Sequence, residues 1–391
     1  MDFDLLYKKA LSFREPVIRF YRDLHRFPEP SLEEYQTTEY IISKLGEMSI
    51  EARRLDNTGC LAFIGNGPKT IALRADIDGL PVCEETGLPF RSEREGFMHA
   101  CGHDGHMAGL LGAAALLKSV EEQLPLRVKL IFQASEENTR GAKRLVDLGA
   151  LEDVYAIFGL HLFSDIPTGT ISCQPGERMA QTDRFWVAFS GKGGHAAKPH
   201  LCVDATVMAA GFVTDLQSLI ARDLDPVRSA VVTVGSFHSG SQYNVISDQA
   251  LLEGTCRCYC PEISAQLEEG IRRKAEAAAF SHGGKVRVDY ESGCHPPVIN
   301  DSDYANEIQK VGIERIGRSY FKNLRPLMLG EDFSWYQKEI PGVFAFIGCG
   351  KEEEPVYPNH HPGFRIDEAA LPLAVMMHLC AVEAACKILI D

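Results

Sequence analysis

The sequence predicts an α/β protein with a mostly parallel sheet, interrupted by a smaller inserted α+β domain. Two observations carry this. Short apolar runs alternate with helical stretches at 70–77, 127–137, 154–162 and, late in the chain, 343–350. Alternation of that kind implies a largely parallel sheet covered on both faces. Between about 183 and 292 the texture changes to an order β-α-β-β-α-β, which describes a small open-faced sandwich. The runs of the first kind resume only after 293, so the expected domains are 1–182 with 293–391, and an insertion at 183–292.

The elements follow in order. Residues 3–26 read as one helix, with Leu5, Leu6, Ile18, Phe20 and Leu24 among its apolar positions. Two prolines break HRFPEPSLEE (25–34), and Ser31 followed by Glu34 has the spacing of a capping box that opens a second helix through Leu45. TIALRADI (70–77) runs into Asp76 and Asp78, RVKLIFQASEE (127–137) into Glu136 and Glu137, and VYAIFGLHL (154–162) ends near His161. VFAFIGCG (343–350) is followed by a loop with His360 and His361. In such sheets ligands collect beyond the C-terminal ends of strands, and polar groups stand at that end of run after run. Helical stretches fall at 108–120 and 140–149. In the insertion, 184–191, 229–237, 249–259 and 285–291 read as strands, and 203–222 and 262–282 as helices. The stretches 173–183 and 293–300 are then the two hinge strands.

Composition narrows the function classes. The 391 residues hold 24% charged side chains and a net charge of −14, which disfavours nucleic acid and anionic membranes as partners. The N-terminus lacks a signal-peptide pattern, no run approaches the ~18 apolar residues of a membrane span, and a cytoplasmic location is expected. The 12 cysteines are scattered without disulfide-scaffold spacing. Cys256, Cys258 and Cys260 alternate, which on a strand means one shared face and core packing rather than a zinc ribbon.

The chemistry concentrates in MHACGHDGHM (98–107), where Cys101, His103, Asp104 and His106 are spaced by small residues in a loop expected at a helix N-terminus. Thiolate, imidazole and carboxylate bind borderline transition metals. Cys101, His103, Glu137, His161 and His360 suit a two-metal centre, in which two divalent ions about 3.5–4 Å apart clamp a tetrahedral intermediate. Glu136 and Glu137 are adjacent at a strand end, so one can bind metal while its neighbour takes a proton from the attacking water. His195, in the Gly-rich SGKGGHAAKPH, is placed to stabilise an oxyanion or is an ordinary loop histidine. Arg257 suits bidentate capture of a carboxylate or a plain surface strand position. Asn244 in YNVISD can hydrogen-bond a substrate or simply serve a turn. No Walker A, strand-linked GxGxxG or GxSxG elbow is present.

HRFPEPSLEE, LRADIDGLP, MHACGHDGHM, IFQASEEN, FGLHL, GKGGHAAKPH, YNVISD, GTCR, GEDFS and HHPGFRIDE occur in one order along essentially the whole chain. In this the sequence resembles the M20 metallopeptidase/amidohydrolase family, and within it the N-acyl-amino-acid amidohydrolases that include hippurate and indole-acetyl-amino-acid hydrolases. The resemblance implies a catalytic di-metal domain and an inserted lid that also dimerises. It implies the five metal ligands above, Glu136 as general base, and His195 as transition-state donor, with a reach to the partner subunit's site left open. It makes Asn244 and Arg257 candidates for the substrate carboxylate, and leaves Asp78 an orienting role behind the ligands. His360 is taken as the ligand over His361 by its distance from Pro362. Gly330 stands where Ser or Ala is common. The expected activity is metal-dependent hydrolysis of an N-acyl amino acid to a carboxylic acid and a free amino acid, with Zn or Mn, or else Co or Ni, as the ions. A dipeptidase or carboxypeptidase on the same centre is the alternative; a Cys101 nucleophile and a silent binding protein are the remaining readings.

Overall fold

A computed structural model describes residues 3–351 and 355–390. The chain divides into two compact units: Met1–Arg178 with Ile299–Arg325 and Asp332–Asp391, and Met179–Val298 with Pro326–Glu331.

The first unit is built on a seven-stranded sheet. Its middle is parallel, in the order Arg127–Gln133, Thr70–Asp76, Val154–Pro167 and Gly342–Gly350. Antiparallel strands Cys60–Ile64 and Ala52–Arg53 finish one edge, and Ile171–Ser172 the other. All seven residues of Thr70–Asp76 are buried, as a doubly covered parallel strand requires. Side chains alternate between faces. Ile71, Leu73 and Ala75 join Val128, Leu130, Phe132, Phe158 and Leu160 in the main core. Against it pack the helices Arg14–His25, His103–Lys118 and Leu371–Leu389. Arg74, Asp76, Gln133 and His161 alternate with these residues and so lie on the opposite face. The short helix Ser334–Gln337 brings Tyr336 to that side, where its hydroxyl donates to Gln133 Oε1 at 3.0 Å.

Several sequence expectations change here. The first helix is two helices, Phe3–Ser12 and Arg14–His25, because a proline ring at 16 clashes with the carbonyl four residues earlier. The helix after residue 31 begins at Tyr35, and neither Ser31 nor Glu34 caps it with its side chain. The metal-type motif is only partly a loop: His103 opens the helix, so Asp104 and His106 lie in its first turn, after Gly102 at φ 94°. His161 sits inside a 14-residue strand rather than at its end. The C-terminal helix does reach the length and apolarity of a membrane span, over Glu368–Leu389, but that window is 89% buried inside the protein and serves as core.

The second unit is a four-stranded antiparallel sheet in the order Ala230–Ser239, Gln249–Cys258, Gln181–Ser190, Lys285–His295. The helices Ala205–Ser218 and Pro261–Ser281 cover one face, where Phe185, Val187, Leu252, Cys256 and Cys258 meet Met208, Phe212, Leu267 and Ile271. Cys260 lies past the strand, at the N-terminus of the second helix. None of the twelve cysteines is in a disulfide.

Candidate metal centre

The strand Thr70–Asp76 and the turn after it deliver Asp76 and Asp78, and the helix His103–Lys118 presents His103 to both. His103 Nδ1 donates to the Asp78 carbonyl oxygen at 2.9 Å, with Asp78 Oδ1 at 3.2 Å. That pins Nδ1 and turns Nε2, buried with no hydrogen-bond partner among the described residues, toward the cluster. His161 has the same arrangement: Nδ1 donates to the Leu162 carbonyl at 3.0 Å, and Nε2 lies 3.4 Å from Cys101 Sγ. His360 Nε2 lies 3.4 Å from the buried Oε1 of Glu137. Asn359 Nδ2 ties the His360 loop to the carbonyls of Cys101 (2.9 Å) and Leu162 (3.1 Å).

The donor atoms therefore converge. Cys101, His103 and His161 form one group, and Cys101, Glu137 and His360 a second, with the atoms of each within 4.8 Å of one another. Cys101 belongs to both, which is the geometry of a bridging ligand. Glu136 forms a further such group with His103 and Glu137, and its Oε1 accepts the Asp332 N–H at 3.3 Å. A soft thiolate, imidazole lone pairs and a carboxylate, with unpaired buried atoms aimed inward, fit divalent transition cations. Electrostatics agree. Burial pushes the Cys101 thiol up, and hydrogen bonds to Cys101 and Glu137 carry His360 up to about 10. A dication takes the place of such protons, so binding releases them and weakens as pH falls.

A layer of buried charge beneath this cluster has no simple sequence signature. Arg74 donates to Gln133 Oε1 (2.8 Å), Asp76 Oδ2 (2.8 Å) and Asp332 Oδ1 (3.0 Å). Asp76 Oδ1 accepts from His106 Nδ1 at 2.6 Å, and His106 Nε2 accepts the Leu162 N–H at 2.9 Å, beside His161. His106 is thus a brace for the His161 strand rather than a member of either ligand group. Asp78 Oδ2 accepts from Ser31 Oγ at 2.7 Å and from the Glu137 N–H at 3.0 Å, so it orients two of the candidate ligands. His361 stacks on Tyr357 at 4.8 Å and joins no donor group among the described residues.

In the second unit, His195 and Asn244 come together. Val245 pairs with His195, and the Ala196 N–H donates to the Asn244 carbonyl at 3.1 Å. His195 is exposed, and its Nδ1 accepts the Ala197 N–H at 3.0 Å, which leaves the proton on Nε2. Arg257 does not join them. It pairs with Thr182 at one end of its strand, whereas Gln249, nearest the His195 turn, is at the other. Eight residues of strand between them span roughly 25 Å. A Cβ on Gly330 would fall 2.2 Å from His295 Nε2, so a side chain there requires His295 to move.

The profile of Peptidase family M20/M25/M40 matches residues 72–384. The chain is 39% identical over 364 residues to the N-acetyl-L-cysteine deacetylase of Bacillus subtilis (strain 168), covering 92% of this chain and 86% of that one. It is 36% identical over 376 residues to IAA-amino acid hydrolase ILR1-like 4 of Arabidopsis thaliana, covering 95% and 86%. Among solved structures it resembles the YXEP protein of Bacillus subtilis, described as a dinuclear metal binding peptidase from the M20 family, with a TM-score of 0.83, 36% identity, and 95% and 98% coverage. The chain belongs to peptidase family M20/M25/M40 and is an enzyme of its metal-dependent amidohydrolase branch.

Proposed function

We propose that this M20 enzyme hydrolyses the amide bond of N-acyl amino acids, releasing a carboxylic acid and a free amino acid. The carrying observation is the pair of donor groups sharing Cys101, with Glu136 beside them. Relatives named for N-acetyl-L-cysteine and for IAA-amino acids support the substrate class. Cys101, His103, Glu137, His161 and His360 would hold two divalent cations. When bound, such ions polarise the acyl oxygen and lower the pKa of water. The donor set suits zinc, cobalt or nickel by softness, and its carboxylate admits manganese.

Glu136 takes the proton of the attacking water as the new C–O bond forms, then returns it to the leaving nitrogen as the C–N bond breaks. His195 Nε2–H donates to the oxygen that gains negative charge. Arg257 and Asn244 bind the polar end of the substrate. The strand register puts roughly 25 Å between Arg257 and the strand end beside the His195–Asn244 turn, more than the length of a small N-acyl amino acid, which supports a grip shared between protomers. The reading is therefore a homodimer formed through the inserted domain, in which His195 and Asn244 serve the partner's centre. Burial raises the Cys101 thiol pKa, the reverse of what a nucleophilic cysteine needs. Twelve cysteines outside any disulfide fit a reducing, cytoplasmic setting.

The test is amine release from acetyl, benzoyl, long-chain acyl and indole-acetyl amino acids, with dipeptides alongside. Chelated enzyme is resupplied with Zn, Mn, Co or Ni. Metal-restored cleavage of one acyl class is expected; cleavage of dipeptides alone would assign the enzyme to peptidase chemistry. Glu136→Gln should keep its metal and lose turnover by several orders of magnitude, and near-wild-type activity would overturn the base assignment.

A further inference from the structure

Glu34 has the spacing of a helix cap and is used for something else. Its side chain is fully buried, and its Oε1 accepts two backbone N–H groups, from Leu32 at 3.0 Å and from Ser135 at 2.8 Å. Both donors belong to left-handed residues, at φ 69° and 67°. That region is strained for a residue with a Cβ, so something must hold the backbone there. Ser135 directly precedes Glu136 and Glu137. The turn is otherwise closed from within, by Thr139 N–H to the Glu136 carbonyl (2.7 Å) and Gly141 N–H to the Ser135 carbonyl (3.0 Å). Glu34 is the side chain that reaches it from 101 residues away in sequence.

The second oxygen, Oε2, is buried too, and the Thr58 side chain also hydrogen-bonds the carboxyl. Burying a carboxyl is costly, and what Oε1 secures in return is the fixed position of two amides. Asp78 works in parallel, since its Oδ2 joins Ser31 Oγ to the Glu137 N–H. The segment 31–34 is thereby stitched to the segment 135–137 at two points.

We infer that Glu34 is a positioning residue for the hydrolytic step. It holds the Ser135 amide in the left-handed turn that aims Glu136 and Glu137, and it acts through the backbone without touching substrate. The inference rests on Glu136 being the base. Both amides are accepted by Oε1, so a neutral glutamine keeps them, whereas alanine frees them. A catalytic group displaced by about 1 Å can lose on the order of 100-fold in rate.

The experiment measures kcat, KM and bound metal for Glu34→Gln, Glu34→Ala, Glu34→Asp and Glu136→Gln, each at saturating metal and normalised to folded enzyme. Glu34→Ala should lose about 100-fold in kcat with KM within about twofold, and Glu34→Gln should restore kcat to within about threefold of wild type. Should the alanine variant fail to fold, Glu34→Asp carries the test, because it keeps the charge and withdraws the oxygen by one methylene. A wild-type kcat in the alanine or aspartate variant, or a glutamine variant as impaired as alanine, overturns the inference. An active Glu136→Gln overturns the base assignment beneath it and is read separately.

Discussion

Replacing Arg74 with methionine should destabilise the first unit more than any surface change, with a pH signature that identifies the cause. Arg74 is fully buried and meets Asp76 at 2.8 Å, Asp332 at 3.0 Å and Gln133 at 2.8 Å. Methionine fills much of the volume but leaves two buried carboxylates without their cation. Breaking a buried pair on one side costs about 3–5 kcal/mol. At roughly 2–4 °C per kcal/mol for a unit of this size, Tm should fall on the order of 10 °C. Burial already raises the Asp332 carboxyl, and Arg74 opposes that rise. Without Arg74 the carboxyls bind protons more tightly folded than unfolded, so the variant's deficit should grow as pH rises and shrink toward pH 5. Arg74→Lys keeps the charge but loses the fork, and should fall between the two. Calorimetry of all three proteins from pH 5 to 8 is the assay. A Tm drop below about 3 °C for methionine, or a deficit independent of pH, would refute the reasoning.

Two other outcomes follow from buried groups beside the cluster. Burial lowers the His25 pKa, but hydrogen bonds to Asp104 (2.6 Å) and Glu84 (3.3 Å) override it and carry it to about 9. Raised from 6.5, it contributes roughly 3 kcal/mol that is present below pH 6.5 and lost as pH rises through 9. Thermal melts from pH 6 to 10 should show this loss in wild type and not in His25→Gln; equal slopes would count against it. Asp78→Ala frees His103 Nδ1 from the carboxylate and releases the Glu137 amide. Metal affinity by chelator competition should weaken 10–100-fold, and an unchanged affinity would show that neither contact orients a ligand.

Much of the fold is legible because a parallel strand leaves a blunt signal. Thr70–Asp76, Arg127–Gln133 and Gly342–Gly350 are buried on both faces, so their apolar runs show without periodicity analysis. The split of the first helix is legible too, in a proline at 16 that the periodic reading of 3–26 passes over. Ser31 and Glu34 are a different matter. Their spacing is that of a capping box, yet their partners are Asp78 and Ser135, 47 and 101 residues away. Local spacing cannot weigh a competitor that only the tertiary fold supplies. The same limit applies to Arg257 and Asn244. Both are polar residues in motifs of one inserted domain, and only the strand register puts a sheet's length between them.

The residue types at the cluster were readable because few environments tolerate them otherwise, and the charge arithmetic shows why they need company. Asp76, Asp78 and Glu137 crowd within 3.9 Å of His103 atoms, with the Cys101 thiol in the same donor group. Arg74 offsets charge on the lower side, through Asp76 and Asp332. On the upper side the excess draws protons onto His103 and His360 instead. His161 departs from this. Burial and the neighbouring His106 hold it neutral, so its Nε2 lone pair stays available beside Cys101. A donor kept neutral has no proton to lose before it binds a cation, which favours His161 as a ligand. The brace Arg74–Asp76–His106 sets that contrast: it balances the carboxylates from below and presses His106 against His161 at 4.7 Å between rings. The buried ion pairs and the candidate metal ligands are thus one electrostatic system, and a change to either half should be read out in the other.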